Sequence, residues 1–533
     1  MTPSVASALK ERTESAQETQ EETTVMTARR PGRRAVMVSA VLTQLMIVLD
    51  LTIIAIALPR MQDDLGMTVS QSPWTVTGYS LAFGGLVLFG GRLCAVVGIR
   101  RSYQVGLIGF GIASLAAGMA TSFPILLVAR VAQGCFGALL APTSQSLLNV
   151  TFTERTERER VFAIFGATGG LGAAVGLLVG GALTDWLSWR WALYINILLA
   201  AAALLIGQRS LPPADQRDRG SRITDDLTGL VLGCGACFSA VYGLDRAQQT
   251  SWTSTSTVSW LALGGIAAVL FVVRERFASR PVLPLSMMAL PVRAASYATQ
   301  FVAGAAQMGA IIYLTYYMQN HFGYSPFKSG VVFLPMVAAL VATAIPAGRI
   351  IVPRLGARGT LPLGLAVLTG SFLIFSRMTT DSTYSQVALP GLIVFGIGLG
   401  LTMPVTFNSG TRGVEAKRTG LASAILSAAQ QIGGSFGVAL MTSYATQHAE
   451  DYVAEHSEEV RAAAMEAMMR AQALPQSPAG KQIIEALKAQ LVDRAQIEAY
   501  AGGFTMMAWI LAGAGAALVA CGIALSVRRR RTR

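Results

Sequence analysis

Charged side chains are scarce in this sequence: 13% of its 533 residues are Asp, Glu, Lys or Arg, whereas 53% are hydrophobic. A soluble globular protein carries about 25% charged residues. The chain therefore has too little polar surface for a soluble globular protein. Its 54 glycines fit close contacts between membrane helices, which pack through small residues.

Motifs for nucleotide and catalytic chemistry are missing or incomplete. No GxxxxGK[ST] phosphate loop occurs. Residues 325–328 read SxxK, a motif of penicillin-interacting enzymes, but the companion motifs are absent. The glycines of 170–176 resemble a dinucleotide-binding fingerprint, but no predicted strand precedes them. The three histidines form no ligand cluster, and the CxxC of Cys234 and Cys237 lies in an apolar run, where packing is the simpler interpretation. We expect a protein that is not an enzyme and that has neither a metal site nor a cofactor.

Long apolar runs are abundant in the chain. About 20 apolar residues in a helix span the hydrocarbon core of a bilayer. The sequence predicts an all-α polytopic membrane protein with fourteen transmembrane helices. The predicted spans are residues 35–58, 73–96, 103–121, 124–149, 160–183, 190–208, 226–246, 257–274, 293–318, 328–350, 359–377, 384–409, 419–443 and 502–527.

Lysine and arginine are distributed unevenly between the two sides of the predicted membrane protein. Residues 1–34 form a polar tail without a signal-peptide pattern, predicted to be disordered, and residues 528–533 form a basic tail. Most of the 42 basic residues fall in these tails or in the even-numbered connections. Because positive residues stay on the cytoplasmic side, we expect both termini to be cytoplasmic in the plasma membrane. The net charge of +13 then follows from topology and needs no nucleic acid partner.

One ionisable residue lies deep inside the first apolar run. Asp50 belongs to the run 35–58, which is followed by Pro59-Arg60. A charge at the bilayer centre costs roughly 2.5–3.5 kcal/mol on insertion scales. Asp50 therefore marks either a proton or ion pathway or a carboxylate that is paired only to hold helices together.

A series of short motifs follows one another in a fixed order along the chain. The segments 49–59 and 74–79 lie in the first two spans, and Arg130-Val-Ala-Gln133-Gly134 lies in the fourth. Further motifs are Gly172-x3-Gly176-x3-Gly180-Gly181 and the segments 189–196, 323–326 and 333–335. In order and spacing they resemble the fourteen-helix drug:proton antiporter branch of the major facilitator superfamily. The resemblance covers residues 35–443 and the last span.

The resemblance implies a major facilitator fold with a duplicated architecture. It places a six-helix bundle at 35–208, a linker with two inserted transmembrane helices at 209–292, and a second bundle at 293–527 with a long extracytoplasmic loop at 444–500. Segment 91–100, which reads Gly-Arg-Leu … Gly-Ile-Arg, has a faint counterpart in 348–358. Such repeats build transporters whose site lies near the membrane midplane, between halves that rock around it.

Two charges are the candidates for proton coupling. At a rise of about 1.5 Å per residue, Asp50 lies roughly 13 Å and Arg130 roughly 9 Å below the outer ends of their predicted helices. The two residues are thus at similar depth, on helices that the family fold places at the central cavity. We hypothesise that Asp50 takes a proton from outside, releases it inside and competes with substrate. Arg130 could alternatively be a hydrogen bonder that ties helices together.

Polar and aromatic residues are candidates for the substrate cavity, although most aromatic residues in membrane proteins pack or anchor at the interface. The candidates are Gln44, Trp74, Tyr79, Gln133, Tyr313 and Tyr316.

Glycine and arginine positions make up the candidate conformational motifs. The connection after the second span contributes Gly91, Gly98, Arg100 and Arg101, and the fifth span contributes Gly172, Gly176, Gly180 and Gly181. Within the second set, Gly172, Gly176 and Gly180 recur every four residues and form a smooth stripe, against which we expect a helix of the second bundle to pack.

Two positions depart from the family pattern. Ala95 stands where the family has the acidic residue that latches the bundles, and Leu177 stands where it has a proline. The latch is either weakened or rebuilt elsewhere, and a kink at Leu177 is in doubt.

The segment 444–500 reads as two amphipathic helices, 444–473 and 480–500, separated by Pro475-Gln-Ser-Pro478. It could gate exit, meet a partner or form a solvated cap, and we favour the cap. For the whole chain we predict a monomeric exporter that exchanges bulky hydrophobic compounds for protons in the lipid bilayer. A many-drug pump, a dedicated exporter of one host-made natural product and a non-transporting sensor or scaffold remain as alternatives.

Overall fold

The computed structural model describes residues 32–68, 71, 74–211, 226–278, 281, 286–414, 419–470 and 478–531. The predicted tail up to residue 31, most of the predicted linker and residues 532–533 lie outside these ranges. Within them, the regular secondary structure is helical throughout.

The main helices are α1 to α14, named here in chain order. They are α1 Arg33–Leu65, α2 Trp74–Val97, α3 Ile99–Gly118, α4 Phe123–Thr151, α5 Arg155–Trp186, α6 Trp189–Gly207, α7 Leu227–Gln249, α8 Thr255–Phe277, α9 Pro291–Tyr316, α10 Leu334–Pro346, α11 Val352–Phe375, α12 Leu389–Thr411, α13 Thr419–Arg470 and α14 Pro478–Arg531. Short segments flank four of them: Ser286–Ala289, Tyr317–His321, Pro326–Val332, Ala347–Ile351 and Tyr384–Ala388.

Eleven helical stretches in the described residues are long and apolar enough to cross a membrane. Large apolar side chains lie exposed on the outside of the bundle, among them Val128, Leu198 and Ile112 at 70%, 67% and 63% exposure. An apolar exterior of this kind suits contact with lipid chains. The chain is therefore an all-helical, multi-pass membrane protein, while the count of fourteen crossings stays a prediction.

The packing of helices repeats along the chain. In the first half α1 packs on α5, α2 on α4, and α3 on both α4 and α6. In the second half α9 packs on α13, α10 on α12, and α11 on both α12 and α14. Helices α7 and α8 pack on each other, and α7 contacts α2 of the first half and α13 of the second.

The two glycines of the predicted sequence repeat have the same backbone role. Gly98 separates α2 from α3 and has a φ of 96°. Gly356 interrupts the helical backbone near the start of α11 and has a φ of 64°. Positive φ is readily adopted by glycine because it has no Cβ. The repeat of 91–100 in 348–358 thus marks two equivalent helix junctions.

Several predicted boundaries are wrong. Helix α1 continues through Pro59 to Leu65 and ends at Gly66, whose φ is 60°, because a helix can continue through a proline where neighbouring helices support it. The segments predicted as separate amphipathic helices in 444–500 are continuous with membrane helices. At 52 and 54 residues, α13 and α14 are each roughly 80 Å long at about 1.5 Å per residue. Each helix is therefore longer than the hydrocarbon core of a bilayer, which is roughly 30 Å thick. The predicted break at Pro475 falls in residues 471–477, outside the described ranges.

Candidate functional site

Asp50 of α1 and Arg130 of α4 form a buried ion pair. Arg130 Nη1 lies 2.6 Å from Asp50 Oδ2, and both side chains have zero exposure. The sequence prediction that the two charges lie at similar depth agrees with this contact. A charge-assisted hydrogen bond of this length is roughly twice as strong as a neutral one, and each charge offsets the desolvation of the other.

Two amides complete the surroundings of the carboxylate. Asn196 of α6 donates from Nδ2 to Asp50 Oδ1 at 2.7 Å, and Gln133 of α4 donates from Nε2 to the same oxygen at 3.2 Å. With Arg130, the carboxylate therefore accepts three hydrogen bonds from two helices. Both oxygens of the carboxylate thus have hydrogen-bond donors from the protein.

The guanidinium of Arg130 has further partners besides Asp50. Its Nε donates to Thr75 O at 3.1 Å, and its Nη1 donates to Gln133 Oε1 at 2.9 Å. The Tyr79 ring lies 4.6 Å from the guanidinium carbon, within the range of a cation–π contact. In the part of the chain that the structure describes, the buried Arg130 Nη2 has no hydrogen-bond partner. The cation is thus held by α2 and α4 as well as by the carboxylate.

A buried hydroxyl of α3 fixes the glutamine. Gln133 Nε2 donates to Ser114 Oγ at 2.7 Å, and Ser114 is fully buried. Helices α1, α2, α3, α4 and α6 therefore meet in one polar cluster inside an otherwise apolar bundle. This arrangement can bury a carboxylate, because a cation and two amide groups replace the hydration that it loses.

Sequence reasoning found part of this cluster and missed part. It named Asp50, Arg130, Gln133 and Tyr79, which the structure brings together. Asn196 entered the prediction only as the last residue of the motif segment 189–196. Ser114 and Thr75 were not singled out. An asparagine within the apolar segment 192–206 is the signal that could have identified Asn196, since polar residues in membrane helices are costly.

The other cavity candidates make their contacts elsewhere. Trp74 lies 6.4 Å from Tyr242 of α7, measured between ring centroids, and Gln44 is half-buried on α1. Tyr313 packs edge-on against Tyr500 of α14 at 5.1 Å. Tyr316, at 6.2 Å from Tyr313, is 49% exposed. The role of these four residues in substrate binding stays a prediction.

The glycine stripe of α5 faces α1, so the expectation that it meets the second half is wrong. A Cβ on Gly172 would lie 3.0 Å from Val48, and one on Gly180 would lie 3.0 Å from Ile53. A Cβ on Gly176 would overlap the hydroxyl of Thr52. The neighbouring Gly181 is buried. Spacing by four residues indicates a close helix contact but does not specify the partner, and here the stripe seats the helix that carries Asp50.

The last two turns of α2, which contain Gly91 and Cys94, meet the second half directly. A Cβ on Gly91 would lie 2.5 Å from the Cβ of Ala424 and 3.1 Å from Gly420 O, both on α13. A Cβ on Gly420 would lie 3.3 Å from Cys94 Sγ. Small residues therefore let α2 and α13 touch.

The arginines of the motif face away from this contact. Arg100 donates from Nη2 to Gln208 O at 3.3 Å, at the end of α6. Arg101 is exposed.

Two hydrogen bonds between neutral side chains also join the halves. Gln145 Nε2 donates to Ser427 Oγ at 3.1 Å, and Thr411 Oγ1 donates to Asn149 Oδ1 at 3.2 Å. We call the surface formed by these two bonds and the small-residue contact the inter-half seam. Its members are Gly91, Cys94, Gln145, Asn149, Thr411, Gly420, Ala424 and Ser427.

The sequence matches a known family over most of its length. The family model of the Major Facilitator Superfamily matches residues 40–438. The chain is 40% identical over 416 residues to the puromycin resistance protein pur8 of Streptomyces alboniger. The aligned region covers 78% of this chain and 82% of that protein. It is 32% identical over 397 residues to the tetracenomycin C resistance and export protein of Streptomyces glaucescens, covering 74% and 73% of the two chains.

Further similarity extends to a multidrug protein and to a solved structure. The multidrug resistance protein Stp of Mycobacterium tuberculosis (strain CDC 1551 / Oshkosh) is 32% identical over 398 residues, covering 75% of this chain and 73% of that one. The crystal structure of the human organic anion transporter MFSD10 (TETRAN) superposes with a TM-score of 0.56 at 13% identity, covering 90% and 100% of the two chains. At that identity the likeness concerns the fold alone.

Proposed function

Because this chain belongs to the Major Facilitator Superfamily, we propose that it exports bulky hydrophobic organic compounds, such as drugs or antibiotics, across the plasma membrane in exchange for protons. The buried Asp50–Arg130 pair is the observation that carries the proton coupling. Relatives named for resistance or export of single antibiotics and for multidrug resistance support the substrate class. Export of this kind confers resistance on the cell.

In this proposal Asp50 is the proton carrier. It takes a proton when its cavity opens to the outside and releases it when the cavity opens to the cytoplasm. When Asp50 is protonated it loses its negative charge, and Arg130 loses its ion-pair partner. The proton and the substrate then compete for occupancy of the site. Moving one elementary charge is worth about 2.3 kcal/mol per 100 mV of membrane potential, which suffices to drive export without nucleotide hydrolysis.

The topology belongs to the same proposal. Counting α3 and α5 as spans, and α10 and α11 as two crossings of the single apolar stretch Phe327–Phe375, gives fourteen crossings with both termini in the cytoplasm. The bundles are then residues 35–208 and 293–527, with the linker and two inserted helices at 209–292. The extensions of α13 and α14 lie outside the cell.

With this orientation, the inter-half seam lies at the cytoplasmic ends of the helices and closes that side. The latch acid that Ala95 replaces is then substituted by contacts between small residues and by neutral hydrogen bonds. A hydrogen bond between neutral groups contributes only about 0.5–1.5 kcal/mol net, which suits a gate that must open in every cycle.

A compound-susceptibility panel in a pump-deficient host tests the function. Puromycin, tetracenomycin C and lincomycin, the compounds in relatives' names, head the panel. We expect the protein to raise the inhibitory concentration of at least one compound and Asp50→Asn to abolish the increase at equal membrane abundance. Thr43→Val, which removes another buried hydrogen bonder of α1, is the matched control and keeps resistance. Full resistance with Asp50→Asn would refute the coupling role.

A dedicated exporter of one host-made natural product is the second candidate. Relatives named for a single compound, including the cephamycin export protein CmcT of Amycolatopsis lactamdurans at 33% identity, favour it. Protection against one chemical class in the panel would support this candidate, and protection against unrelated classes would support a many-drug pump. A sensor or scaffold would protect against none.

A further inference from the structure

The Asp50 carboxylate is surrounded by donors. Arg130 donates to Oδ2, and Asn196 and Gln133 donate to Oδ1. Once protonated, a carboxyl group carries one O–H donor of its own, which needs an acceptor. In a fully buried site an unsatisfied donor is costly. One neighbour must therefore change from donor to acceptor when Asp50 binds a proton.

Gln133 cannot make this change without losing its other bonds. Its Nε2 donates to both Asp50 and Ser114, and its Oε1 accepts from Arg130. The Ser114 hydroxyl could accept or donate, but the guanidinium can only donate. Rotating the Gln133 amide by half a turn would therefore set its NH₂ group against the Arg130 donor and break that bond. Gln133 is thus fixed in its present orientation.

Asn196 is free to make the change. Its Nδ2 donates to Asp50 Oδ1 at 2.7 Å, and its Oδ1 is buried with no hydrogen-bond partner among the described residues. Half a turn of this amide exchanges the two atoms and brings a carbonyl oxygen to the position from which the amide now donates. The rotation breaks no bond other than the one to Asp50.

We propose that Asn196 is a proton-dependent amide switch: it donates to ionised Asp50 and, after rotating, accepts the O–H of protonated Asp50. The inference rests on the proposed coupling role of Asp50 and makes Asn196 a positioning residue. The proton comes from water on one side and returns to water on the other. Asn196 itself gains and loses none.

The remaining groups around Asp50 keep their roles in both states. Among the described residues, the charged or titratable groups that face it are Arg130 on α4 and Tyr79 on α2. When Asp50 is neutral, the guanidinium keeps Thr75 O, Gln133 Oε1 and the Tyr79 ring as partners. Only the Asn196 amide has to turn.

Infrared difference spectroscopy of the purified full-length protein, between high and low pH, tests the switch directly. In the wild type we expect a carboxyl band to grow at low pH together with a downward shift of an asparagine side-chain carbonyl band, because that carbonyl gains a hydrogen bond. Both signals should vanish in Asp50→Asn. In Asn196→Leu the carboxyl band should remain and the asparagine signal should be lost.

The pH midpoint of the carboxyl band gives a second readout. Removing the Asn196 donor should raise the midpoint by about one pH unit, a tenfold gain in proton affinity, because the ionised carboxylate loses a charge-assisted bond that is stronger than the bond lost by the neutral acid. Asn196→Thr, whose hydroxyl both donates and accepts, should restore part of the wild-type midpoint. Thr43→Val should leave the midpoint unchanged.

The outcomes separate the switch from the coupling role. An Asp50-dependent carboxyl band without an asparagine shift, or with a shift that survives in Asn196→Leu, would overturn the switch and leave Asp50 as proton carrier. Absence of any Asp50-dependent carboxyl band across the pH range in which transport works would overturn both.

Discussion

The two halves of the molecule pack alike but differ in the chemistry of the equivalent contact. In the first half α1 meets α4 through the Asp50–Arg130 ion pair. In the second half α9 meets α12 without a carboxylate: Thr406 donates to the side-chain oxygen of Gln300, and Tyr297 donates to Gly410 O at 3.0 Å. At the end of α12, Arg293 of α9 donates to Arg412 O at 2.9 Å. Among the described residues of 293–527, no Asp or Glu is buried.

Two halves with the same helix packing can therefore differ in whether they contain a buried carboxylate–guanidinium pair. A buried carboxylate is costly; the first half carries one, paired with Arg130, and the second half makes the equivalent helix contact without one. The glycine stripe of α5 supports the specialised half, because it seats α1 closely on α5. Proton coupling is therefore expected in the first half alone, and the following predictions test that assignment.

The largest expected effect is that of breaking the ion pair from one side. Arg130→Met leaves Asp50 buried without its cation, so we expect a loss of about 3–5 kcal/mol in the free energy of unfolding. The double variant with Asp50→Asn should recover most of the loss, because no unpaired charge then remains. Thermal unfolding of the purified protein in detergent measures both. Equal losses in the single and double variants would contradict the role of the pair.

A bulky residue in the inter-half seam should have the next largest effect. Gly91→Val would press on Ala424 and Gly420, and overpacking typically costs about 1–3 kcal/mol. The closed form should lose stability relative to the open form. We expect Cys94, now 1% exposed, to react at least about tenfold faster with an impermeant thiol reagent, since about 1.4 kcal/mol is a factor of ten.

The labelling needs a background in which Cys94 is the sole cysteine and a matched glycine control. Gly235 of α7 is suitable because a Cβ there meets nothing within 4 Å. Labelling in Gly235→Val should match that of the parent. Unchanged labelling in Gly91→Val would show that the seam does not hold the halves together.

Breaking the equivalent contact of the second half should cost little. Gln300→Leu removes an amide whose nitrogen is already unpartnered, and Thr406 keeps its bond to Met403 O at 2.8 Å. We expect a loss of about 1 kcal/mol or less in thermal unfolding, with the pH dependence of transport unchanged. A shifted pH profile would break the contrast between the halves.

The smallest effect is expected at the C-terminal end of α1. Arg190 and Trp189 donate to Asp64 Oδ2 at 2.6 and 3.0 Å. These bonds hold the pKa of Asp64 below its ordinary value of 3.8, and the bond from Arg190 has the larger effect. Because the folded pKa is depressed, the stabilisation is present above about pH 4 and is lost as the pH falls through the lowered pKa.

Both side chains of this pair are partly exposed, so Asp64→Asn should cost less than about 1 kcal/mol. Unfolding midpoints recorded from neutral pH down to about pH 3 should converge between the variant and the wild type as Asp64 is protonated. A constant difference over this range would assign the effect to something other than the charge.

Much of the fold and part of the site could be predicted from the sequence. The apolar runs located most helices, and Asp50 and Arg130 stood out because ionisable residues are rare in such runs. Contacts that depend on tertiary packing were not predictable: the stripe at Gly176 faces α1, and Asn196 reaches Asp50 from α6. Helix ends were also missed where α1 passes Pro59 and where α13 continues beyond the bilayer.

Transport in proteoliposomes tests the central claim most directly. With the compound that shows the strongest resistance in the panel and an imposed pH gradient, the wild type and Gln300→Leu should accumulate the compound against its concentration gradient. Asp50→Asn should allow at most equilibration, with no response to the pH gradient. Accumulation by Asp50→Asn that follows the pH gradient would contradict the assignment of the proton to Asp50.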